Sequence, residues 1–142
     1  MTSTSTCLEF SLPAVPASVR KARASVAETV AEFGASERVV DDVRLCVSEA
    51  VSNVVRHAYG SGRGDVDVVV EREDGEFNVV VRDSGKGIGP KSARPKTSGG
   101  YGLQIIEKIA ERLDITSARD AGTEVRMVFS LAGEMPGVAL LS

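Results

Sequence analysis

The sequence predicts a two-layer α/β sandwich, in which a mostly antiparallel, mixed sheet carries its helices on one face. Two observations lead to this prediction. Apolar residues recur at helical spacing in several regions, and several short segments alternate between apolar and polar residues. The chain has 142 residues, of which 42% are hydrophobic and 26% charged, so we expect one soluble domain over residues 1–142. We place its core at about residues 8–131, with flexible tails at 1–7 and 133–142.

The elements are expected in the order β-α-α-β-β-loop-α-β-β. Pro13 ends the first strand, Gly34 ends the first helix, and Ser36 is a suitable N-cap for the second helix. Asp74-Gly75 lies between two alternating runs and is a strong signal for a hairpin turn. The expected strands are at about residues 8–12, 66–70, 77–82, 114–118 and 123–131, and the expected helices at about residues 17–33, 36–58 and 101–113.

The composition argues against several classes of protein. A net charge of −3 gives no general reason to expect binding to DNA or to an anionic membrane. Aromatic residues make up 4% of the chain and Trp is absent, which disfavours stacking on single-stranded nucleic acid. Cys7 and Cys46 form no zinc or C-x-x-C pattern, and neither a secretory signal nor a membrane-spanning run is evident. We therefore expect a cytoplasmic protein without a nucleic-acid or membrane partner.

The second helix carries a ladder of polar side chains. Glu49, Asn53 and His57 follow one another at a spacing of four residues, and the ladder drifts toward the apolar stripe, with His57 at its margin. This position predicts that the side chains line the floor of a cleft. The alternative for this motif alone is a solvated helix flank.

A second motif, Asp83-Ser84-Gly85-Lys86-Gly87, directly follows a predicted strand. Spaced glycines allow a sharp turn and a close ligand approach, and Asp83 is then a fixed hydrogen-bond acceptor for an exocyclic amine such as that of adenine. A decorated β-turn remains the alternative for this segment.

The third motif is the glycine-rich start of the third helix, residues 98–103. Backbone N–H groups at such a start can bind phosphate, although glycine-rich helix starts are also common without a ligand. Residues 84–100 contain four basic side chains and no acidic one. This composition is typical of a cationic flap that closes on a nucleotide, and an ordinary surface loop is the alternative. The chain has neither a P-loop nor a Rossmann motif, so a nucleotide site here must be of another type.

Together, these motifs resemble those of a known family. Residues 49–59 (E-A-V-S-N-V-V-R-H-A-Y), 83–88, 100–103 and 122–123 are similar, in this order, to the N, G1, G2 and terminal Gly-Thr boxes of the histidine-kinase-like ATPases. The form of the first box resembles one branch, the bacterial serine kinases that act as anti-sigma factors. The resemblance implies a histidine-kinase-type ATP-binding fold, with ATP and Mg²⁺ as cofactors.

The resemblance also implies roles for individual residues. Asn53 is expected to bind Mg²⁺, Asp83 to bind the adenine amine with support from Thr123, and Glu49 to act as the base toward an acceptor serine. His57 is expected to pack beside them without a catalytic role. The other expected nucleotide-binding positions are Gly85, Gly87, Gly100, Gly102 and Leu103, with Lys96 or Arg94 nearest the terminal phosphate.

The implied function is that of an ATP-dependent protein serine kinase and anti-sigma factor. Such a protein binds a sigma factor and phosphorylates a small STAS-type anti-anti-sigma partner on serine, and the family implies a homodimer. A non-enzymatic adaptor, in which ATP only orders the flap, stays open, although Glu49 argues against it. A detached histidine-kinase domain is disfavoured because the only histidine, His57, lies inside the predicted ATP site.

Overall fold

The computed structural model of the chain describes residues 4–60, 62–85, 100–118 and 121–132. Its strands are β1 (Ser5–Pro13), β2 (Asp65–Glu73), β3 (Glu76–Asp83), β4 (Arg112–Ala118) and β5 (Gly122–Ser130), and its helices are α1 (Pro16–Glu32), α2 (Glu37–Asn53) and α3 (Gly100–Ile109). A single π-helical turn, Val54–Ala58, continues α2. The sheet order is β1-β2-β3-β5-β4, and all pairings among these strands are antiparallel.

Local sequence explains where α1 and α2 begin and end. Pro16 occupies the first turn of α1, where its missing N–H costs nothing. Gly34 follows α1 with a φ of 92°, a left-handed conformation that glycine adopts without strain. The Ser36 Oγ accepts a hydrogen bond from the Val39 N–H at 3.2 Å and caps α2. The predicted helix stop and N-cap are thus confirmed.

The core lies between the helices and one face of the sheet. Inward-facing valines of β2 and β3 meet the apolar stripes of α1 and α2, and Ile106 of α3 is fully buried beside them. Phe77 and Phe129 stack with ring centroids 5.3 Å apart, and Phe33 meets Phe77 edge-on at 6.1 Å. The two-layer arrangement confirms the predicted fold class. Within the described ranges, no helix combines the length and apolarity needed to cross a membrane.

The opposite face of the sheet is tied together by polar side chains. The Nη1 of Arg126, on β5, donates to the Glu71 Oε1 on β2 and to the Asn78 Oδ1 on β3, both at 2.8 Å. These contacts cross three strands. Asn78 is 8% exposed and is therefore a buried polar residue whose acceptor is satisfied.

Several element boundaries differ from the sequence prediction. β1 begins at Ser5 because Ser5 and Thr6 extend the pairing with β2 beyond a register shift at Cys7, so residues 5–7 belong to the sheet and not to a tail. α3 ends at Ile109 because the hairpin between β4 and β5 extends back to Arg112. The helical spacing of Leu113 was therefore misleading: Leu113 pairs with Met127. Residues 133–142, expected as a tail, lie outside the described residues.

Candidate functional site

The C-terminal end of α2 holds two of the predicted site residues. Glu49 and Asn53 are half-buried and lie one helical turn apart, on the same side of the helix. The Asn53 Oδ1 is fully buried and has no hydrogen-bond partner among the described residues. A buried acceptor of this kind is unfavourable unless something donates or binds to it. The geometry therefore presents a hard oxygen atom that is available for a ligand.

His57 lies within the π-helical turn that follows this pair. Residues 54–58 follow Asn53 with a wider turn than an α-helix, so positions beyond Asn53 rotate away from the spacing that an α-helix would give. His57 is exposed. Glu49 and Asn53 keep their predicted relation, and the place of His57 at the margin of the apolar stripe stays a prediction.

The carboxyl group of Asp83 lies at the end of β3, in the middle of the sheet. Asp83 pairs with Val66 of β2 on one side and with Thr123 of β5 on the other. Burial raises its pKa above the ordinary value of an aspartate, and hydrogen bonds from the backbone amides of Gly85 and Thr123 oppose this shift. The Gly85 N–H donates to the Asp83 Oδ1 at 2.9 Å. The carboxylate is thus held in one orientation as an acceptor.

Two glycines make this arrangement possible. Gly122 has a φ of 84°, and a Cβ at this position would lie 1.9 Å from the Asp83 carbonyl oxygen. A Cβ at Gly85 would lie 2.1 Å from the Ala58 carbonyl oxygen. Both positions therefore need glycine for contact between protein segments. For Gly85 this is a reason that the glycine spacing in the sequence did not reveal.

Tyr59 contacts the residue directly after Asp83, and no role of its own was predicted for it from the sequence. Its hydroxyl group donates to the Asp65 carbonyl oxygen at 2.5 Å and accepts from the Ser84 N–H at 2.9 Å. Its ring lies where a Cβ of Gly64 would be, 2.1 Å from the nearest ring carbon. The only sequence signal was its place as the last letter of the first box.

A cavity of about 280 Å³ adjoins Asp83 and Thr123. Its other lining residues include Arg82 and Glu124, which form an ion pair at 2.7 Å on the outer face of the sheet. Neither Glu49 nor Asn53 lines it. Of the predicted site residues with described positions, the cavity therefore adjoins only Asp83 and Thr123.

The protein-family model of the histidine kinase-like ATPase domain matches residues 12–129 of the sequence. The chain belongs to this family. The match includes the Glu49–Asn53 pair, Asp83 and Thr123, and it confirms the resemblance found in the sequence.

Curated relatives of this ATPase-family chain carry names from the anti-sigma branch. An anti-sigma F factor of Clostridium botulinum (strain Eklund 17B / Type B) is 34% identical over 116 residues, which cover 75% of this chain and 81% of the relative. The serine-protein kinase RsbW of Staphylococcus epidermidis is 29% identical over 143 aligned positions, which cover 90% of this chain and 89% of the relative.

Solved structures of the ATPase family have the same fold. The structure of the RsbU and RsbW domains of Rv1364c from Mycobacterium tuberculosis matches with a TM-score of 0.69 and 25% identity, over 87% of this chain and 31% of that one. This chain thus spans about a third of that longer protein. A histidine kinase domain of Erythrobacter litoralis EL346 matches with a TM-score of 0.56 and 19% identity, over 80% of this chain and 61% of that one. This second likeness shows the fold alone.

The remaining predicted positions of the ATPase site are placed only in part. Leu103 is half-buried against the core on α3, a helix that packs on α2. Gly100 and Gly102 lie in the first turn of α3. Gly87 and Lys96 lie outside the described residues. Their roles, like those of all the site residues, stay predictions.

The donors present fit a magnesium ion that is held mainly by a nucleotide. Among the residues with described positions, no three His, Cys, Asp or Glu side chains form a cluster suited to a metal. Magnesium bound together with phosphates needs only one or two protein ligands and favours oxygen. The buried, unpartnered Oδ1 of Asn53 meets that requirement.

Proposed function

We propose that this protein is an ATP-dependent protein serine kinase and anti-sigma factor. It binds a sigma factor and phosphorylates a small STAS-type anti-anti-sigma partner on serine. One observation carries the proposal: a carboxylate, Glu49, lies one helical turn before an unpartnered buried amide oxygen, that of Asn53, on the same side of the helix. Its relatives named anti-sigma F factor and serine-protein kinase RsbW support the choice within the family.

The residues divide the chemistry between the two ends of the site. At the adenine end, the half-buried carboxylate of Asp83 accepts the hydrogen bond of the exocyclic amine, and Thr123 supports it. At the phosphate end, Asn53 is the protein ligand of Mg²⁺, which neutralises phosphate charge when it is bound. The turn after β3 lies against the π-helical turn that continues α2, since a Cβ on Gly85 would be 2.1 Å from the Ala58 carbonyl oxygen.

Glu49 acts on the acceptor serine. As the serine oxygen forms its bond to the terminal phosphorus of ATP, the bond from that phosphorus to the ADP oxygen breaks, and the serine proton passes to the Glu49 carboxylate. Binding of the nucleotide alone does not require a carboxylate at this position. This distinguishes the kinase from an adaptor that uses ATP only to order its flap.

The assembly and location follow from the same proposal. Among the described strands, β1 lies at the edge of the sheet and pairs only with β2, which suits the homodimer that the family implies. The protein acts in the cytoplasm, where its partners would be found. No step of the proposed chemistry requires nucleic acid or a membrane.

The decisive test is Glu49→Gln, with Glu37→Gln as its matched control. Both changes remove one carboxylate from α2, and Glu37 is exposed in the first turn, about 18 Å away along the helix axis. Each protein is incubated with Mg-ATP and each small STAS-type protein of the same genome, and phosphoserine is measured by mass spectrometry. We expect Glu49→Gln to lower the phosphorylation rate by a factor of about 10²–10⁴ while Mg-ATP affinity stays the same, and Glu37→Gln to behave as the wild type.

The outcome also decides between the two functions. If the wild type phosphorylates none of these proteins, and Glu49→Gln leaves inhibition of the sigma factor unchanged, the adaptor function is the correct one. If both glutamine variants lose activity equally, Glu49 has no special role.

A further inference from the structure

We infer that Tyr59 is a positioning residue for adenine recognition. Its hydroxyl group holds the turn after β3 against the end of the helix that carries Asn53, and thereby orients the Asp83 carboxylate. The inference rests on the proposed function, in which Asp83 binds the adenine amine. It concerns a residue that would not itself touch the nucleotide.

The hydrogen bonds of the Tyr59 hydroxyl have one consistent direction. The Asp65 carbonyl oxygen can only accept, so the hydroxyl proton points to it across 2.5 Å. The Ser84 N–H can only donate, so it points to the phenol oxygen across 2.9 Å. The phenol thus bridges the start of β2 and the residue directly after Asp83. Its ring cannot shift freely because it occupies the space beside Gly64.

The Ser84 amide reaches this partner one residue beyond the end of the strand ladder. The last pair of β2 and β3 joins Val66 to Asp83. The next backbone N–H is that of Ser84, and it donates to the Tyr59 hydroxyl in place of a strand partner. The Tyr59 hydroxyl substitutes for the missing strand and prolongs the order of β3 into the turn.

A second contact fixes the same turn from the other side. The Cα of Gly85 lies so close to the Ala58 carbonyl group that a Cβ there would be 2.1 Å from its oxygen. Ala58 and Tyr59, which are consecutive, therefore hold Ser84 and Gly85, which are also consecutive. The Gly85 N–H in turn donates to the Asp83 Oδ1 at 2.9 Å. Movement of the turn would move the donor that orients the carboxylate.

The test is Tyr59→Phe in the full chain, which keeps the ring and removes only the hydroxyl oxygen. The probes are Mg-ATP and Mg-GTP, with affinities measured by calorimetry, because guanine has a carbonyl oxygen where adenine has the amine. We expect ATP affinity to fall by a factor of about 3–10, the range for loss of one hydrogen bond, while the weaker GTP affinity stays the same. The control is Thr29→Val, which removes a hydroxyl group that bonds only within α1, to the Ser25 carbonyl oxygen.

A double-mutant cycle shows whether Tyr59 acts through Asp83. If it does, Tyr59→Phe no longer changes the ratio of ATP to GTP affinity in the Asp83→Asn background, because the group that it orients has already lost its function. Equal losses of ATP and GTP affinity would show a merely structural role and overturn the inference. An unchanged ratio in Tyr59→Phe, with the wild-type Asp83 present, would overturn it as well.

Failure of the proposed function gives a different result. If the wild type shows no preference for ATP over GTP, or if Asp83→Asn keeps the wild-type preference, Asp83 does not bind adenine and both proposals fall. If Asp83→Asn loses the preference and Tyr59→Phe keeps it, only the role of Tyr59 is wrong.

Discussion

Asn53→Ala separates the stability of this protein from its metal binding. Most substitutions of a buried polar residue destabilise a protein because they leave a partner without its hydrogen bond. The Asn53 Oδ1 has no such partner among the described residues. The substitution therefore removes an unsatisfied acceptor instead of creating one, and we expect the protein without nucleotide to tolerate it.

The expected size of the effect follows from two favourable terms and one unfavourable term. Burying an unsatisfied acceptor costs about 1–3 kcal/mol, which the substitution recovers, and Ala exceeds Asn in helix propensity by up to about 0.7 kcal/mol. The lost contacts of a half-buried amide group act against these gains. We expect the free energy of unfolding to stay within about 1 kcal/mol of the wild type or to rise.

Asn78→Ala is the matched control. It is the same substitution at a buried asparagine, but the Asn78 Oδ1 accepts from Arg126 at 2.8 Å. Losing a hydrogen bond to a charged group costs about 1.5–3 kcal/mol, and partial exposure of the arginine places the expected loss toward the lower end. Asn78 lies on the outer face of the sheet, so its removal should not affect magnesium.

The assay combines urea unfolding with nucleotide affinity, measured with magnesium and with excess chelator. Asn53→Ala should retain the free energy of unfolding and lose the enhancement of ATP affinity by magnesium, and Asn78→Ala should do the reverse. If Asn53→Ala keeps the full enhancement, another residue binds the metal. If Asn53→Ala loses as much free energy of unfolding as Asn78→Ala, the Asn53 Oδ1 stabilises the folded protein, and the expectation based on its missing hydrogen-bond partner is refuted.

Three further predictions follow from the described geometry. Asp83→Asn should lower ATP affinity by a factor of about ten or more. Because burial raises the pKa of Asp83, the ATP affinity of the wild type should begin to fall on acidification at a pH above the ordinary aspartate range. A pH titration of Asp83→Asn should not show this fall in affinity. Gly122→Ala should reduce the free energy of unfolding by clearly more than Gly75→Ala. Both glycines have a positive φ, which costs a residue with a Cβ about 1–2 kcal/mol, but only at Gly122 would the new Cβ clash with backbone atoms. Equal losses of stability in urea unfolding would contradict this. Burial raises the pKa of the Cys46 thiol to about 12, so iodoacetamide at neutral pH should label the exposed Cys7 in the native protein and Cys46 only after unfolding, as mass spectrometry can show.

Local patterns were sufficient for the fold class and for part of the site. The helix stop at Gly34, the cap at Ser36 and the hairpin at Asp74-Gly75 depend on neighbouring residues, and the structure confirms all three. The place of Asp83 at a strand end followed from alternation in the preceding run. Glu49 and Asn53 kept their relation because both precede the π-helical turn. Periodicity contains this information because it repeats over a few residues.

The features that give the site its geometry depend on residues far apart in the sequence. Helical spacing predicted an α-helix through His57, but residues 54–58 form a π-helical turn, in which His57 is exposed. Tyr59 contacts Ser84, and Gly85 contacts Ala58, although each pair is more than twenty residues apart in the sequence. No local sequence pattern predicts these contacts. Pairing with β2 likewise extends β1 back to Ser5. Packing decided these features, since the free energy of a contact between distant segments depends on the whole fold and not on either segment alone.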